Sequence, residues 1–172
     1  MTRSNDFSLA ALYAALDAQR TAHGLSWSQA TAEINRVSER PAIHPISPST
    51  VTGTRTKSVA EGDGVLQMLL WLNRPPESFV PGYRESEEDY RRLPVVAPHQ
   101  ILRFDTQKLH AALNSRRIER NLTWAQVARE LALGVSSLTH LANGGRTGFP
   151  HVMRMTGWLG RTAADFTRAS DW

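Results

Sequence analysis

The chain has 172 residues, 41% of them hydrophobic and 21% charged, with a formal net charge of +4 and no cysteine. This is ordinary globular composition and argues against wholesale disorder. The lack of cysteine excludes a disulfide framework, a thiol nucleophile and any Cys-ligated zinc or iron–sulfur site. No apolar run approaches the roughly 20 residues that span a bilayer. The densest, Val65 to Leu72, contains Gln67. Phe7 to Leu16 is short and lacks the positive flank of an export signal, since Asp6 offsets Arg3. The expectation is a cytoplasmic protein with no membrane partner.

The first predicted helix starts at Ser8, a good N-cap, with Phe7 and Leu12 at the spacing of a hydrophobic staple. Leu12 and Leu16 stand four apart on one face. The second starts at Ser26-Trp-Ser-Gln29, which fits a capping box. Ala30 to Arg40 contains no breaker, so this helix is expected to reach about Arg40, with an irregular loop from Pro41 to Pro45. The third begins at Ser47, with Pro48 at the first helical position. A fourth covers about 62–72, and a short fifth ends at Phe79. Residues 81–103 read as a linker. Its Glu87-Glu-Asp89 run is a solvated face, and Pro94 and Pro98 favour an extended path. No segment of useful length has a strand period.

From Phe104 the pattern starts again. Sliding Phe7–Arg36 by 97 positions onto Phe104–Leu133 gives ten identities, at residues 7, 12, 14, 15, 16, 20, 25, 27, 29 and 33. A second block at an offset of 87 pairs Ser49 with Ser136, Thr52 with Thr139, Met68 with Met155, Trp71 with Trp158, Leu72 with Leu159, Arg74 with Arg161 and Phe79 with Phe166. The offset falls by ten, so the first copy carries a ten-residue insertion between about residues 37 and 47. Two homologous units follow, 1–80 and 104–172. In the second, Asp105 takes the cap position of Ser8, and Thr123 with Gln126 repeats the capping box. Its fourth helix falls at about 149–159. Some 65–70 residues per unit is marginal for a core without staples. Each unit therefore needs to lean on the other or on another chain, and a homodimer is compatible with that need.

Charge separates the copies. Residues 1–80 carry seven Lys/Arg and seven Asp/Glu, 81–103 four of each, and 104–172 nine and five. The whole excess lies in the last third, which permits a polyanion partner there.

The segment Trp124-Ala-Gln-Val-Ala-Arg-Glu-Leu-Ala-Leu-Gly-Val-Ser-Ser-Leu-Thr-His-Leu-Ala-Asn-Gly-Gly-Arg146 resembles the helix-turn-helix of the phage-repressor (Xre-like) family. Ser47-Pro-Ser-Thr-Val-Thr52 resembles the opening of that family's recognition helix. The resemblance covers both units. It implies an all-α chain of two tandem five-helix, lambda-repressor-like helix-turn-helix units, with double-stranded DNA as partner and no cofactor. In such a motif the second helix lies in the major groove while the first crosses the backbone. Ala128 would be small to let the helices approach, and Leu131, Leu138 and Leu141 would form the inner face. The resemblance places base-facing positions at Val135, Ser136, Thr139 and His140, and in the first copy at Pro48, Ser49, Thr52 and Gly53. Backbone contacts would fall to Trp124, Gln126, Asn143 and Arg146, and to Trp27, Gln29, Thr56 and Lys57, with Arg55 adding charge. Hydroxyls and methyls can read several bases, but the strong bidentate readers Arg, Asn and Gln are missing from the base-facing set. The first copy departs from the pattern at its lengthened turn, at Gly53 in place of His140, and at Thr54 in place of Leu141.

Each feature also has a plainer reading. Trp27 and Trp124 can simply pack on a neighbouring helix, and Trp71 and Trp158 read as core. His140 is either a DNA contact or a surface histidine. His23, His44, His99, His110 and His151 show no metal spacing, so no metal is expected. Asn143-Gly-Gly145 reads as a helix stop, since no strand precedes it to make a phosphate loop. No nucleophile–base arrangement is suggested, and no enzyme is expected. Two classes of function remain: a sequence-recognising DNA-binding regulator acting as a covalent pseudo-dimer, or a protein–protein interaction module that keeps the fold without binding DNA. The first is weakened if Arg116, Arg117, Arg120, Arg129 and Arg146 do not flank the third helix of the second copy.

Overall fold

The structure, a computed structural model, describes residues 6–37, 45–83, 92–97 and 99–171. In the first unit α1 spans Leu9–Ala22, α2 Trp27–Val37, α3 Pro48–Thr52 and α4 Gly62–Leu72. A 3-10 turn, Gly53–Arg55, continues α3, and another, Pro76–Phe79, follows α4. Strand β1, Gln100–Phe104, leads into α5 at Thr106–Glu119, α6 at Trp124–Leu131, α7 at Val135–Leu141 and α8 at Phe149–Leu159. A last 3-10 turn, Ala163–Phe166, runs into β2, Thr167–Asp171. The expected extension of α2 to Arg40 and the loop from Pro41 lie outside the described residues.

The expectation of an all-α chain of two five-helix units is corrected on two counts. Each unit has four α-helices closed by a four-residue 3-10 turn rather than a fifth helix. The chain also contains a two-stranded antiparallel sheet, β1 with β2, in which Gln100 faces Asp171 and Phe104 faces Thr167. Ile101 and Leu102 are adjacent and both fully buried, so β1 shows no in–out alternation to signal a strand. Residues 100–103, read as linker, thus form part of the second unit's sheet.

The local signals behave as the residue chemistry requires. Ser8 Oγ accepts from Ala11 N at 3.1 Å, and an Asp105 carboxylate oxygen accepts from Lys108 N at 2.9 Å. Both capping boxes close: Ser26 N and Thr123 N each donate to the glutamine Oε1 three residues on, at 2.8 Å. The Asn35 amide brackets the end of the insertion, donating to the Ile46 carbonyl and accepting from Ile46 N, both at 2.9 Å.

The repeat is also physical. Arg20 donates to Asp17 Oδ1 and to the Leu25 carbonyl; Arg117 donates to Asn114 Oδ1 and to the Leu122 carbonyl. The Trp71 indole donates to Glu33 at 3.1 Å, and the Trp158 indole to Glu130 at 2.7 Å. Ser8 N donates to the Phe79 carbonyl, and Asp105 N to the Phe166 carbonyl. Thr54, where the second copy has Leu141, is buried but satisfied: its hydroxyl donates to the Val51 carbonyl at 2.7 Å.

One apolar core runs through both units. At the junction, Phe149 is fully buried between Phe7 and Phe104, with ring centroids 4.7 and 5.4 Å away. Gly62 is required there, because a Cβ would come within 2.8 Å of the Phe104 ring. Glu61 and Gly148 form an antiparallel bridge, with Gly62 N donating to the Thr147 carbonyl and Phe149 N to the Ala60 carbonyl. Residues 61 and 148 are equivalents in the repeat, so the junction is locally two-fold. The equivalents Gln67 and Arg154 extend that relation. Gln67 donates to the Leu102 carbonyl, while Arg154 grips Asp6 at 3.0 and 2.8 Å. Each reaches the residues leading into the other unit's first helix.

Candidate nucleic-acid interface

α6 and α7 are joined by three residues, Ala132 to Gly134. Ala132 adopts a left-handed conformation, which ends α6 and turns the chain. Ala128, Leu131, Leu138 and Leu141 are buried, and they set the two helices against each other. This leaves Val135, Ser136, Thr139 and His140 exposed along one face of α7, with Val135 42% exposed. The Thr139 hydroxyl donates to the Ser136 carbonyl at 3.2 Å. The His140 ring lies against Gly145, where any Cβ would collide with it. Gly144, at φ +73°, ends the helix, so Asn143-Gly-Gly145 is a stop; Gly145 N donates to the His140 carbonyl.

Ser136, His140, Arg146 and His151 line a shallow concavity of about 360 Å³ beside α7. His151 was not among the predicted contacts; nothing in its local sequence marks it, and only the return of α8 brings it there. Burial and the neighbouring Arg154 hold its imidazole below the ordinary value, against a smaller opposing pull from Asp6. Asn143 is exposed just past the helix end. Arg146 is exposed and pairs with Glu61 of the first unit at 2.9 Å.

Other predicted contacts serve the fold. Gln126 uses its side-chain oxygen to close the capping box, as does Gln29 in the first unit. Trp124 stacks on His110 at 4.9 Å with Arg117 5.1 Å from its ring centroid. Trp27 stacks on Tyr13 at 5.4 Å with Arg20 at 4.8 Å. The packing reading of these tryptophans matches the geometry. His110 is held below its ordinary pKa by burial first and by Arg117 second.

The five arginines do not gather around α7. Arg117 is committed to Asn114 and the Leu122 carbonyl, Arg120 pairs with Glu130 at 2.7 Å and lies over Trp158, and Arg116 pairs with Glu119 at 3.5 Å. Arg129 is exposed on α6. Of the five, Arg146 alone lines the concavity at α7.

In the first unit, Pro48 and Ser49 are exposed at the start of α3, and Ser49 Oγ lies 2.8 Å from Ser47 Oγ. Thr52 donates to the Pro48 carbonyl at 3.1 Å. The Lys57 stem packs over Gly53, which explains how the missing side chain is filled. Arg55 lies 5.9 Å from the Tyr13 ring centroid, and Thr56 is exposed. The segments after α3 and α7 meet at the two-fold junction, where Val59 packs on Gly148. α3 and α7 therefore lead into the junction from opposite units. Among the described residues, no helix is long and apolar enough to cross a membrane. The chain matches no protein-family model, no curated protein and no solved structure.

Proposed function

We propose that the chain is a cytoplasmic protein that binds double-stranded DNA through α7, with α3 as a weaker second contact, and regulates transcription. On this reading the α6–α7 and α2–α3 pairs are helix-turn-helix units related to the phage-repressor family, and one chain acts as a pseudo-dimer. It acts by binding rather than by catalysis. The observation that carries the reading is the exposed Ser136, Thr139 and His140 face of α7, held outward by buried Leu138 and Leu141 and flanked by Arg146. An exposed polar face presented by a short helix on a rigid partner helix suits the major groove. The local two-fold junction supplies within one chain the symmetry that half-sites ask for. The test is affinity selection from a random duplex pool at low salt. Enrichment of a common motif is expected; failure to retain any duplex contradicts the reading.

The interaction-module reading has one observation in its favour: Arg116, Arg117 and Arg120 are spent on acceptors within the second unit.

A further inference from the structure

Below the end of α7, the sheet holds an arrangement that the fold alone does not explain. Arg103 of β1 and Arg168 of β2 are direct cross-strand partners. Directly opposed side chains have Cβ atoms about 4.5–5.5 Å apart, and like charges there are destabilising. Arg103 has only a long ion pair, and Arg168 has none among the described residues. Arg103 Nη1 is 3.9 Å from Asp63 Oδ2, beyond hydrogen-bonding distance. Asp63 Oδ1 instead accepts from Phe104 N at 3.2 Å. Arg103 Nε is buried with no hydrogen-bond partner. Arg168 is exposed and makes no ion pair among the described residues.

Both arginines open onto a cavity of about 100 Å³, with Arg146, Thr106, Gly144 and Gly145 on its other sides. Glu61 and Asp63 also line it: Glu61 pairs with Arg146 at 2.9 Å and Asp63 stands 3.9 Å from Arg103, which leaves one guanidinium charge in excess. The volume suits a single tetrahedral oxyanion and is too small for a nucleoside. Arg146 and Thr147 line this cavity and also the concavity beside α7, so the two adjoin at these residues. The positions equivalent to Arg103, Arg146 and Arg168 in the first unit are Asp6, Val59 and Pro81, so the first unit has no such arrangement.

We infer that Arg103, Arg168 and Arg146 form a seat for one backbone phosphate of the duplex that α7 engages. The inference rests on the DNA-binding reading and adds a contact from the sheet to it. The phosphate oxygens accept hydrogen bonds from the terminal guanidinium N–H groups of Arg103 and Arg168, and their charge offsets the cross-strand repulsion. The seat fixes the position of the duplex on the second unit without reading a base.

The test uses the full chain, with Arg168→Gln and Arg103→Gln, titrated with a selected duplex and a random duplex across salt. Loss of one phosphate contact should lower the slope of log affinity against log salt by roughly 0.9. Affinity at low salt should fall about tenfold on both duplexes alike. Arg168 is exposed, so Arg168→Gln carries the test if Arg103→Gln does not fold. Wild-type binding with unchanged slopes in a folded variant overturns the seat and leaves the DNA reading intact. No wild-type binding to any duplex overturns both. Inorganic phosphate, followed by the Arg103 and Arg168 side-chain NMR signals, separates the sources. Weak binding that a duplex displaces supports the seat; binding that persists unchanged beside bound duplex assigns the cavity to free phosphate and overturns it.

Discussion

Glu77 shows how one carboxylate ties the units together. Its Oε1 accepts the Ala163 N–H at 2.6 Å, linking the last turn of the first unit to that of the second. Burial raises its pKa above the ordinary 4.5, and Asp165 adds to this; the N–H bonds from Ala163 and from its own backbone oppose it without cancelling it. A carboxyl with a raised folded-state pKa contributes stability that is complete below the unfolded value, here 4.5, and is lost as pH rises through the raised value. Glu77→Gln keeps an oxygen for Ala163 N–H and removes the buried charge. Urea unfolding should show the variant at least as stable as wild type at pH 7. It should also flatten the wild-type gain on acidification from pH 7 towards 4.5. A loss at pH 7 of more than about 1 kcal/mol would show that the charge itself strengthens the cap.

At the scale of elements, α6 has only eight residues, so its first turn matters to whether it forms. Thr123→Ala removes an N-cap bond and opens the capping box, and should cost about 1 kcal/mol in urea unfolding. Ser26→Ala should cost a similar amount, because the same box closes on α2. No change in either variant would mean that tertiary packing alone holds these helix starts. Such caps were legible in the sequence because they are local: Ser8, Asp105, Ser47 and Thr123 act within three residues of themselves. The repeat was legible because its identities fall on load shared between helices, such as Trp71 with Glu33 and Trp158 with Glu130. The sheet was not, since β1 is buried on both sides and β2, Thr167–Asp171, has few β-forming residues. On the candidate interface, the outward face of α7 followed from helical spacing. The fate of the arginines did not: Arg120 is claimed by Glu130 of the next helix, a partner that only the folded chain brings within reach.

At the scale of the molecule, the shared core means that neither unit stands alone. Phe149 belongs to the second unit but packs on Phe7 of the first, and Phe149→Ala should cost roughly 3–5 kcal/mol. The loss should appear in one cooperative transition, with tryptophan fluorescence and far-UV circular dichroism coinciding; two separated transitions would contradict a single core. The same junction brings the ends of α3 and α7 together, with Arg146 held by Glu61 across it. The central claim is that this assembly presents α7 to duplex DNA. It is tested most directly by titrating wild type, His140→Ala and Asn143→Ala with a selected and a random duplex across salt. On the selected site His140→Ala should lose on the order of 1 kcal/mol, with little change on random duplex. Asn143→Ala should weaken both equally, as a backbone contact does. Absence of wild-type binding to either duplex at low salt would contradict the account.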